Sequence, residues 1–335
     1  MVKRFIIFGA GAVGSTLGGL LIRNGYGAVL IGRKRHIDVI NSRGLMIKKE
    51  KEEFYVKIDT VTDLKEVVFK SGDVILLTVK SAQTKDFVEI AKKSYLDKDI
   101  PVCAVQNGMN NEEELAKYFK NVYGGIVKMT CAMLEPGEVM FKREGRIIIG
   151  RYPSGSDKTA EEMVRIFTNC GFKTTVSGKI VSDRYLKLLV NLINLPVSIV
   201  KKEYHEKPKF LNLQKDLLTE GIKVLAKAGI DYSPDSDIDL TAKDMIEKLE
   251  RSEPFYHSRH IMAYVSTWQD LYYKRKPLEC TDFYQTIVDL GKNVNIDTPY
   301  NKKMFLLSKI AAEKEFSPEI FDINEFFNTL NSISI

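Results

Sequence analysis

Short apolar runs alternate with amphipathic stretches through about the first half of the chain. The runs predicted as strands are Phe5–Phe8, Ala28–Ile31, Val74–Val79 and Pro101–Val105. Between them, apolar residues recur at the spacing of one helix face, which predicts helices at Val13–Asn24, Lys85–Lys93 and Asn111–Tyr118. Strand–helix alternation of this kind is typical of a parallel, doubly wound sheet.

From Arg184 onward, the pattern changes to long helical stretches without a convincing strand. The predicted helices are Tyr185–Val200, Leu211–Ala228, Ala242–Leu249, His257–Tyr273, Asp282–Lys292 and Asn301–Lys314, with one more short helix in the tail from Pro318 to Ile335. A junction within Ser177–Asp183 gives an N-terminal domain at 1–180 and a C-terminal domain at 181–335. The predicted fold class is α/β, with an N-terminal doubly wound sheet and an all-helical C-terminal domain.

The size of the chain agrees with two domains, because 335 residues exceed what one hydrophobic core usually organises. The net charge is only +6 with the signs interspersed, so neither a basic stripe nor a basic tail indicates a nucleic-acid partner. The four cysteines lie far apart, which argues against a disulfide framework and a zinc site and favours a reducing compartment. No targeting or membrane-spanning segment is predicted, so we expect a cytoplasmic protein.

The first chemical signal is the turn Gly9-Ala10-Gly11-Ala12-Val13-Gly14, which follows a predicted strand and opens a predicted helix. This is the context of the Rossmann-type dinucleotide fingerprint. The first glycine permits the tight turn, the second lets the backbone approach a pyrophosphate, and the third lets helix and strand pack closely. The pyrophosphate would bind the free N–H groups at the helix N-terminus. The alternative is a glycine turn that binds no ligand, and the position of the motif disfavours it.

The end of the second predicted strand distinguishes between the two nicotinamide cofactors. An NAD-binding protein usually carries an acid about 20 residues after the glycines, which binds the ribose 2′-hydroxyl. Here Gly32 is followed by Arg33, Lys34 and Arg35, so cations occupy the place of that acid. NADP (NADPH) is therefore favoured over NAD, and the alternative is a basic turn that contacts only solvent.

A narrow polar stripe runs along the otherwise apolar helix predicted at Tyr185–Val200. At about 100° per residue, Lys187, Asn191, Asn194 and Ser198 fall on one face. An ammonium group without a partner is costly to bury, so the stripe is expected to face a polar cavity or a fixed partner. Burial also moves the pKa of a lysine toward the working pH, which suits a general acid. The alternative is a lysine that extends to the domain edge beside two capping asparagines.

Further motifs follow the glycine turn in a fixed order: Thr78–Gln83, Gln106–Met109, Pro136–Val139 with Gly150, Lys187 with Asn191, Ser266 with Gln269 and Asp270, and Glu279 with Pro299. Across nearly the whole chain, this order resembles the ketopantoate reductase (2-dehydropantoate 2-reductase) family. The resemblance implies a Rossmann domain, an all-helical domain and NADPH-dependent reduction of a small α-keto acid to the 2-hydroxy acid. The keto acid it implies is 2-dehydropantoate, whose reduction to pantoate belongs to pantothenate and coenzyme A biosynthesis.

The resemblance also implies roles for single residues. Lys187 is similar to the family's general acid, which protonates the keto oxygen, and Glu279 to a glutamate near that lysine and the nicotinamide ribose. Asn191 resembles a substrate-binding asparagine, and Ser266 a serine that contacts the substrate carboxylate. The implied cofactor contacts are those of Lys80, Asn107, Met133 and Glu279, with Arg33 at the 2′-phosphate.

The chain departs from the family pattern in three places. The family's second asparagine aligns with Leu195, and we expect Asn194, which lies nearer to Lys187 on a helix, to bind substrate in its place. The loop Lys274–Leu278 is one residue longer than usual and has a lysine where the family has a glycine. Thr281 replaces an aspartate. These departures leave the identity of the keto acid open.

Two other functions fit the same motifs. One is a non-catalytic NADPH-binding protein, against which the retained Lys187 and Glu279 argue. The other is a related reductase or an opine-type dehydrogenase that acts on a different keto acid. His257 and His260 are spaced as a metal pair but have no third ligand nearby, so no metal is expected. The expected partner is a small keto acid, not a nucleic acid or a membrane, and a homodimer stays open.

Overall fold

The computed structural model describes residues 1–49, 52–133, 135–236, 239–254 and 265–334. The chain divides into two compact units, Met1–Val181 and Ser182–Ile335. Within the described ranges, no helix combines the length and the apolar composition needed to cross a bilayer.

The first unit alternates strands and helices. Its strands are β1 (Arg4–Phe8), β2 (Gly27–Ile31), β3 (Leu45–Lys49), β4 (Glu52–Val56), β5 (Asp59–Val61), β6 (Asp73–Leu77), β7 (Val102–Ala104), β8 (Val122–Val127), β9 (Thr130–Ala132), β10 (Glu138–Arg143), β11 (Arg146–Arg151) and β12 (Lys173–Ser177). Its helices are α1 (Ala12–Arg23), α2 (Lys34–Arg43), α3 (Thr84–Lys93), α4 (Asn111–Ala116) and α5 (Lys158–Asn169).

Eight of these strands form the main sheet, in the order β12-β11-β8-β7-β6-β1-β2-β5. The neighbouring strands are parallel except β11, which runs antiparallel to β8. Successive residues of β1 face opposite sides: Phe5 and Ile7 join a core cluster with residues of α1, α2 and α5, and Ile6 joins one with residues of α3 and α4. Helices therefore cover both faces, and the predicted doubly wound sheet is confirmed.

A second, four-stranded sheet in the order β4-β3-β10-β9 was not predicted. Its strands β3 and β4 pair antiparallel and carry charged residues at their facing ends, with Lys49 opposite Glu52. It packs on α1, where the absent side chain of Gly19 leaves room for Ile47 of β3. Helix α2 was not predicted either. It begins directly after Arg33, so Lys34 and Arg35 lie in its first turn.

The second unit is helical within the described residues. Its helices are α6 (Ile180–Asn191), α7 (Asn194–Ile199), α8 (Pro208–Lys227), α9 (Ala242–Glu250), α10 (Ser266–Tyr272), α11 (Cys280–Asn293), α12 (Pro299–Glu313) and α13 (Ile323–Ser332). An isolated bridge joins Val200 and Phe321. The all-helical prediction is confirmed, and the tail helix exists as α13, begun by a capping box of Asp322 and Glu325. His257 and His260 lie outside the described residues.

One predicted helix is wrong in its length. The stretch Tyr185–Val200 is not a single helix, because α6 ends at Asn191 and α7 starts at Asn194. The cause is Pro196, which lacks an N–H and whose ring collides with the carbonyl four residues earlier in a continuous helix. The periodicity argument therefore holds for Lys187 and Asn191, which share α6, but does not extend to Asn194 and Ser198.

Candidate active site

The glycine turn of the first unit is fixed by the strand beside it. Gly9 has a φ of +120°, and a Cβ there would lie 2.6 Å from the backbone nitrogen of Val79, so only glycine fits. The Thr78 hydroxyl donates a hydrogen bond of 2.7 Å to the Gly9 carbonyl. The loop after β6 thus holds the turn after β1 in place.

The remaining glycines shape a cradle at the start of α1. A Cβ on Gly14 would collide with the Gly9 carbonyl, which explains the close approach of helix and strand. At Gly11, by contrast, a Cβ would meet no atom within 4 Å, so the backbone there is open to a ligand. Helix α1 has no side-chain cap at Gly11 and no acid in its first turn. Its first N–H groups therefore suit an anion such as a pyrophosphate, and the residues present fit a dinucleotide.

Lys80 and Asn107 follow the carboxyl ends of β6 and β7, the next strands along the sheet from β1. The Asn107 carbonyl accepts hydrogen bonds from the Ser81 hydroxyl and, at 2.8 Å, from the Asn111 amide. The Thr84 hydroxyl extends this network, since it donates to Asn111 at 2.8 Å and accepts from the Gln106 amide at 2.9 Å. These bonds tie the Lys80 loop to the Asn107 loop.

Arg33 lies at the carboxyl end of β2, on the other side of β1. A Cβ on the preceding Gly32 would lie 2.6 Å from the Cβ of Ala10, so the glycine lets this loop pack against the glycine turn. Arg33 is exposed at the N-cap position of α2. Lys34 instead pairs with Asp38 one turn later, at 2.9 Å. Arg33 is thus better placed than Lys34 to bind an added phosphate.

The order β7-β6-β1-β2 therefore brings Asn107, Lys80, the Gly9–Gly14 turn and Arg33 to one edge of the main sheet. Met133 follows β9 in the second sheet, half-buried against the core cluster that Ala12 and Val13 of α1 also contact. The carboxyl edge of a parallel sheet is where ligands bind in open α/β folds.

Sequence reasoning missed His36, which is only 5% exposed beneath this edge. Its Nδ1 accepts a hydrogen bond of 2.9 Å from the Gly137 N–H, and its Nε2 lies 3.2 Å from the Ser15 hydroxyl. Since Nδ1 accepts, we assign the proton of the neutral ring to Nε2. The ring joins α1, α2 and the turn before β10, and burial lowers its pKa.

The stability of the protein is expected to fall as acid protonates His36. An unfolded histidine titrates near about pH 6.5. The folded pKa is lower, so the stabilisation by the neutral ring is complete above that pH and is lost as the pH falls. Between about pH 7.5 and about pH 5, the Tm of the wild type should fall more than that of His36→Gln, because only the wild type has a buried imidazole to protonate. Calorimetry of both proteins checks this, and equal slopes would contradict it.

In the second unit, Lys187 and Asn191 lie four residues apart on α6 and so share a helix face. Lys187 is half-buried, and Asn191 and Asn194 are 8% and 5% exposed. The Asn194 amide donates to the Asn191 side-chain oxygen at 3.3 Å across the helix break. The two asparagines thus lie together even though no continuous helix joins them. The Ser198 hydroxyl donates to the Asn194 carbonyl at 2.6 Å.

Ser266 and Glu279 are connected to this region through α10. Helix α10 starts at Ser266 and packs against α7. Its buried Asp270 accepts hydrogen bonds from the Glu279 backbone N–H at 3.1 Å and from the Arg275 guanidinium at 3.0 Å. Asp270 belongs to a motif quoted above, but the sequence alone gave no role for it. In the structure, Asp270 holds Glu279, the residue that directly precedes α11.

Two lysines of the lengthened loop Lys274–Leu278 bind the segment that follows α12. Lys274 has a φ of +52°, a backbone conformation that favours glycine. Its ammonium donates to the carbonyl of Glu315 at 2.6 Å and to the Ser317 hydroxyl at 3.1 Å, beyond the end of α12. Lys276 pairs with the Glu315 carboxylate at 2.8 Å. The loop that departs from the family pattern is thus fixed in place by hydrogen bonds and an ion pair.

A model of ketopantoate reductase PanE/ApbA matches residues 5–154, and a model of its C-terminal part matches residues 179–312. The chain belongs to the ketopantoate reductase family. It is therefore an oxidoreductase that uses a nicotinamide cofactor and acts on a small molecule. The predicted family and enzyme class are confirmed.

One relative is similar to this chain in sequence, and two solved structures are similar to it in fold. The 2-dehydropantoate 2-reductase of Pyrococcus horikoshii is 31% identical, over 93% of this chain and 97% of its own length. A D-mandelate dehydrogenase solved with NADH and anilino(oxo)acetate has a TM-score of 0.79 at 24% identity, covering 93% of this chain and 99% of that one. A dimeric ketopantoate reductase from Staphylococcus aureus has a TM-score of 0.71 at 20% identity, with coverage of 93% and 99%. The two structures show a common fold.

Proposed function

We propose that this ketopantoate reductase family member reduces 2-dehydropantoate to pantoate with NADPH, and that Lys187 is the general acid. The observation that carries the proposal is the group of Lys187, Asn191 and Asn194, in which a lysine shares a helix face with a buried amide. A protein that only bound NADPH would not need a half-buried lysine beside two buried amides. The name of the Pyrococcus relative supports the choice of keto acid.

The reaction adds one hydride and one proton to the keto group. NADPH, when bound, supplies the hydride to the keto carbon. The Lys187 ammonium donates its proton to the keto oxygen, so that the product is a neutral alcohol and the lysine is left as an amine. Asn191 and Asn194 hold the oxygen and its neighbours by hydrogen bonds, and the Ser266 hydroxyl binds the substrate carboxylate. Glu279 orients Lys187 and the ribose.

The cofactor would be held by the carboxyl edge of the main sheet. The N–H groups after Gly11 would bind the pyrophosphate, and Arg33 the 2′-phosphate. Lys80, Asn107 and Met133 would contact the ribose and the nicotinamide. The cation at the position of the usual acid is the reason for choosing NADPH over NADH.

Initial rates with NADPH and with NADH against a panel of α-keto acids test the proposal. We expect the highest kcat/KM with NADPH and 2-dehydropantoate. A second candidate is a reductase for another keto acid. It is favoured by Asn194 and Leu195, because the resemblance places the second asparagine of the family at 195 and not at 194. The panel includes the keto acid of mandelate because a D-mandelate dehydrogenase has a similar fold. If only another keto acid is reduced, that acid and not 2-dehydropantoate is the substrate. NADPH binding without turnover of any acid would overturn the enzyme assignment.

The proposal includes a cytoplasmic location and a homodimer. The dimeric ketopantoate reductase from Staphylococcus aureus supports the homodimer. Sedimentation of the purified protein should give about twice the 38.1 kDa of one chain. A species of one chain's mass at working concentrations would rule the dimer out and leave the proposed reaction unaffected.

Glu279→Ala is expected to lower kcat/KM about tenfold, the worth of one hydrogen bond to a charged group. The fold should survive, because Asp270 binds the backbone N–H of Glu279 and that bond remains in the variant. Steady-state kinetics and the Tm of both proteins check this. Asp289→Ala, which removes an exposed carboxylate from the same helix, is the control and should change neither. Full activity of Glu279→Ala would refute the role assigned to this glutamate.

A further inference from the structure

The side chain of Tyr284 in α11 hydrogen-bonds to the backbone at the break between α6 and α7. Its hydroxyl donates a hydrogen bond of 2.9 Å to the Leu192 carbonyl and accepts one of 3.4 Å from the Leu195 N–H. Leu192 is the first of the two residues between α6 and α7, directly after Asn191, and Leu195 is the second residue of α7. One hydroxyl thus links the residue directly after α6 to the first turn of α7.

The break is what creates the need for this contact. In a continuous helix, the Leu192 carbonyl would accept from residue 196 and the Leu195 N–H would donate to residue 191. Pro196 has no N–H, and the end of α6 moves Asn191 out of helical register. Both backbone groups are buried, where a polar group without a hydrogen bond is costly. Only a group that donates and accepts at once can serve both.

The tyrosine hydroxyl meets that requirement. A neutral phenol donates one hydrogen bond and accepts others, whereas a phenolate could not donate. Burial holds the pKa of Tyr284 well above its ordinary value, so the hydroxyl keeps its proton throughout the working range of pH. The side chain is fully buried on the 14-residue helix α11, which gives the contact a rigid base.

We propose that Tyr284 is a positioning residue that sets the geometry between the helix carrying Lys187 and Asn191 and the helix carrying Asn194. This rests on the roles proposed above for those three residues. The Asn194–Asn191 hydrogen bond is already long at 3.3 Å, so a small shift of α7 against α6 separates the two amides. Glu279 directly precedes the same helix α11. Tyr284 thus connects the two helices that carry the lysine and the asparagines to the helix that follows Glu279.

Tyr284→Phe removes the hydroxyl and keeps the ring. We expect kcat with the active keto acid to fall about tenfold and its KM to rise, since misplaced groups lose reactive geometry. The KM for NADPH should change little, because most of the proposed cofactor contacts lie in the first unit and Asp270 still holds the backbone of Glu279. Amide hydrogen exchange should speed up at Leu195 and remain unchanged in α8.

The matched control is Tyr123→Phe. Tyr123 is equally buried, and its hydroxyl donates to Asp157 at 2.8 Å in the first unit. Both variants should have a lower Tm than the wild type. Only Tyr284→Phe should change kcat and the KM for the keto acid, a split that a purely structural role would not produce.

Two results would overturn the proposal. One is a Tyr284→Phe protein with a lower Tm and wild-type kinetic constants. The other needs no variant: an unprotected Leu195 amide in the folded wild type would show that the hydroxyl does not hold the break. Failure of the proposed function is seen separately, as turnover that Lys187→Ala leaves intact or as no turnover by the wild type, and the exchange measurement is independent of both.

Discussion

Lys187→Ala is expected to lower kcat by about 10²–10⁴-fold, the usual contribution of a general acid, while the affinity for NADPH barely changes. The hydride and the proton reach the keto group in the same reaction, and the lysine supplies the proton, so its removal affects the chemical step. The wild-type rate should also fall at alkaline pH, as the ammonium loses its proton. The measurement is kcat as a function of pH for both proteins, with whichever keto acid proves active.

Lys215→Ala is the control for this variant, because it removes a half-buried lysine from α8 of the same unit. It should leave kcat, the fall of kcat at alkaline pH and the NADPH affinity at wild-type values. Near-normal turnover of Lys187→Ala, with the same fall of kcat at alkaline pH as in the wild type, would mean that another group donates the proton. A loss of NADPH affinity equal to the loss of kcat would assign Lys187 to cofactor binding.

The features that the sequence predicts well are those whose cause is local. The Gly9–Gly14 turn needs only a strand before it and a helix after it, and the structure places it between β1 and α1. The lack of an acid after β2 is likewise visible in the residues themselves. The packing of helices on both sides of β1 follows from a strand that is apolar on both faces.

The features that the sequence did not reveal depend on partners far along the chain. The second sheet pairs β3 with β10, so that Met46 lies opposite Glu138. His36 receives its hydrogen bond from a residue 101 positions away, and Tyr284 binds a carbonyl 92 positions away. No periodicity within a short window carries this information.

The helix break was open to prediction in part. Pro196 is a local signal that a continuous helix is interrupted, but the apolar residues on either side of it favoured one long helix. The hydroxyl that bonds the Leu192 carbonyl and the Leu195 N–H comes from α11, about 90 residues along the chain, and a local pattern does not indicate it. The prediction that Asn194 shares one continuous helix with Lys187 and Asn191 is therefore wrong.

Arg33→Ala is expected to weaken NADPH binding by about 1.5–3 kcal/mol, or about 10–150-fold, and to leave NADH binding unchanged. The guanidinium is exposed at the end of β2, beside the strand that carries the glycine turn, and can form paired hydrogen bonds with a phosphate. NADH has the same pyrophosphate and nicotinamide but lacks the 2′-phosphate. Titration of wild type and variant with both cofactors measures the two affinities.

The neighbouring cations show whether the effect belongs to Arg33 itself. Lys34→Ala should have a smaller effect, because the Lys34 ammonium is already paired with Asp38. Arg165→Ala removes an exposed guanidinium from α5 and should change neither affinity, which separates a specific contact from the general charge of the protein. An equal loss for NADPH and NADH in Arg33→Ala would place the guanidinium at a part of the cofactor that both share. Since no acid stands at the end of β2, a preference for NADPH that survives the loss of Arg33 would have to come from Arg35 or Lys34.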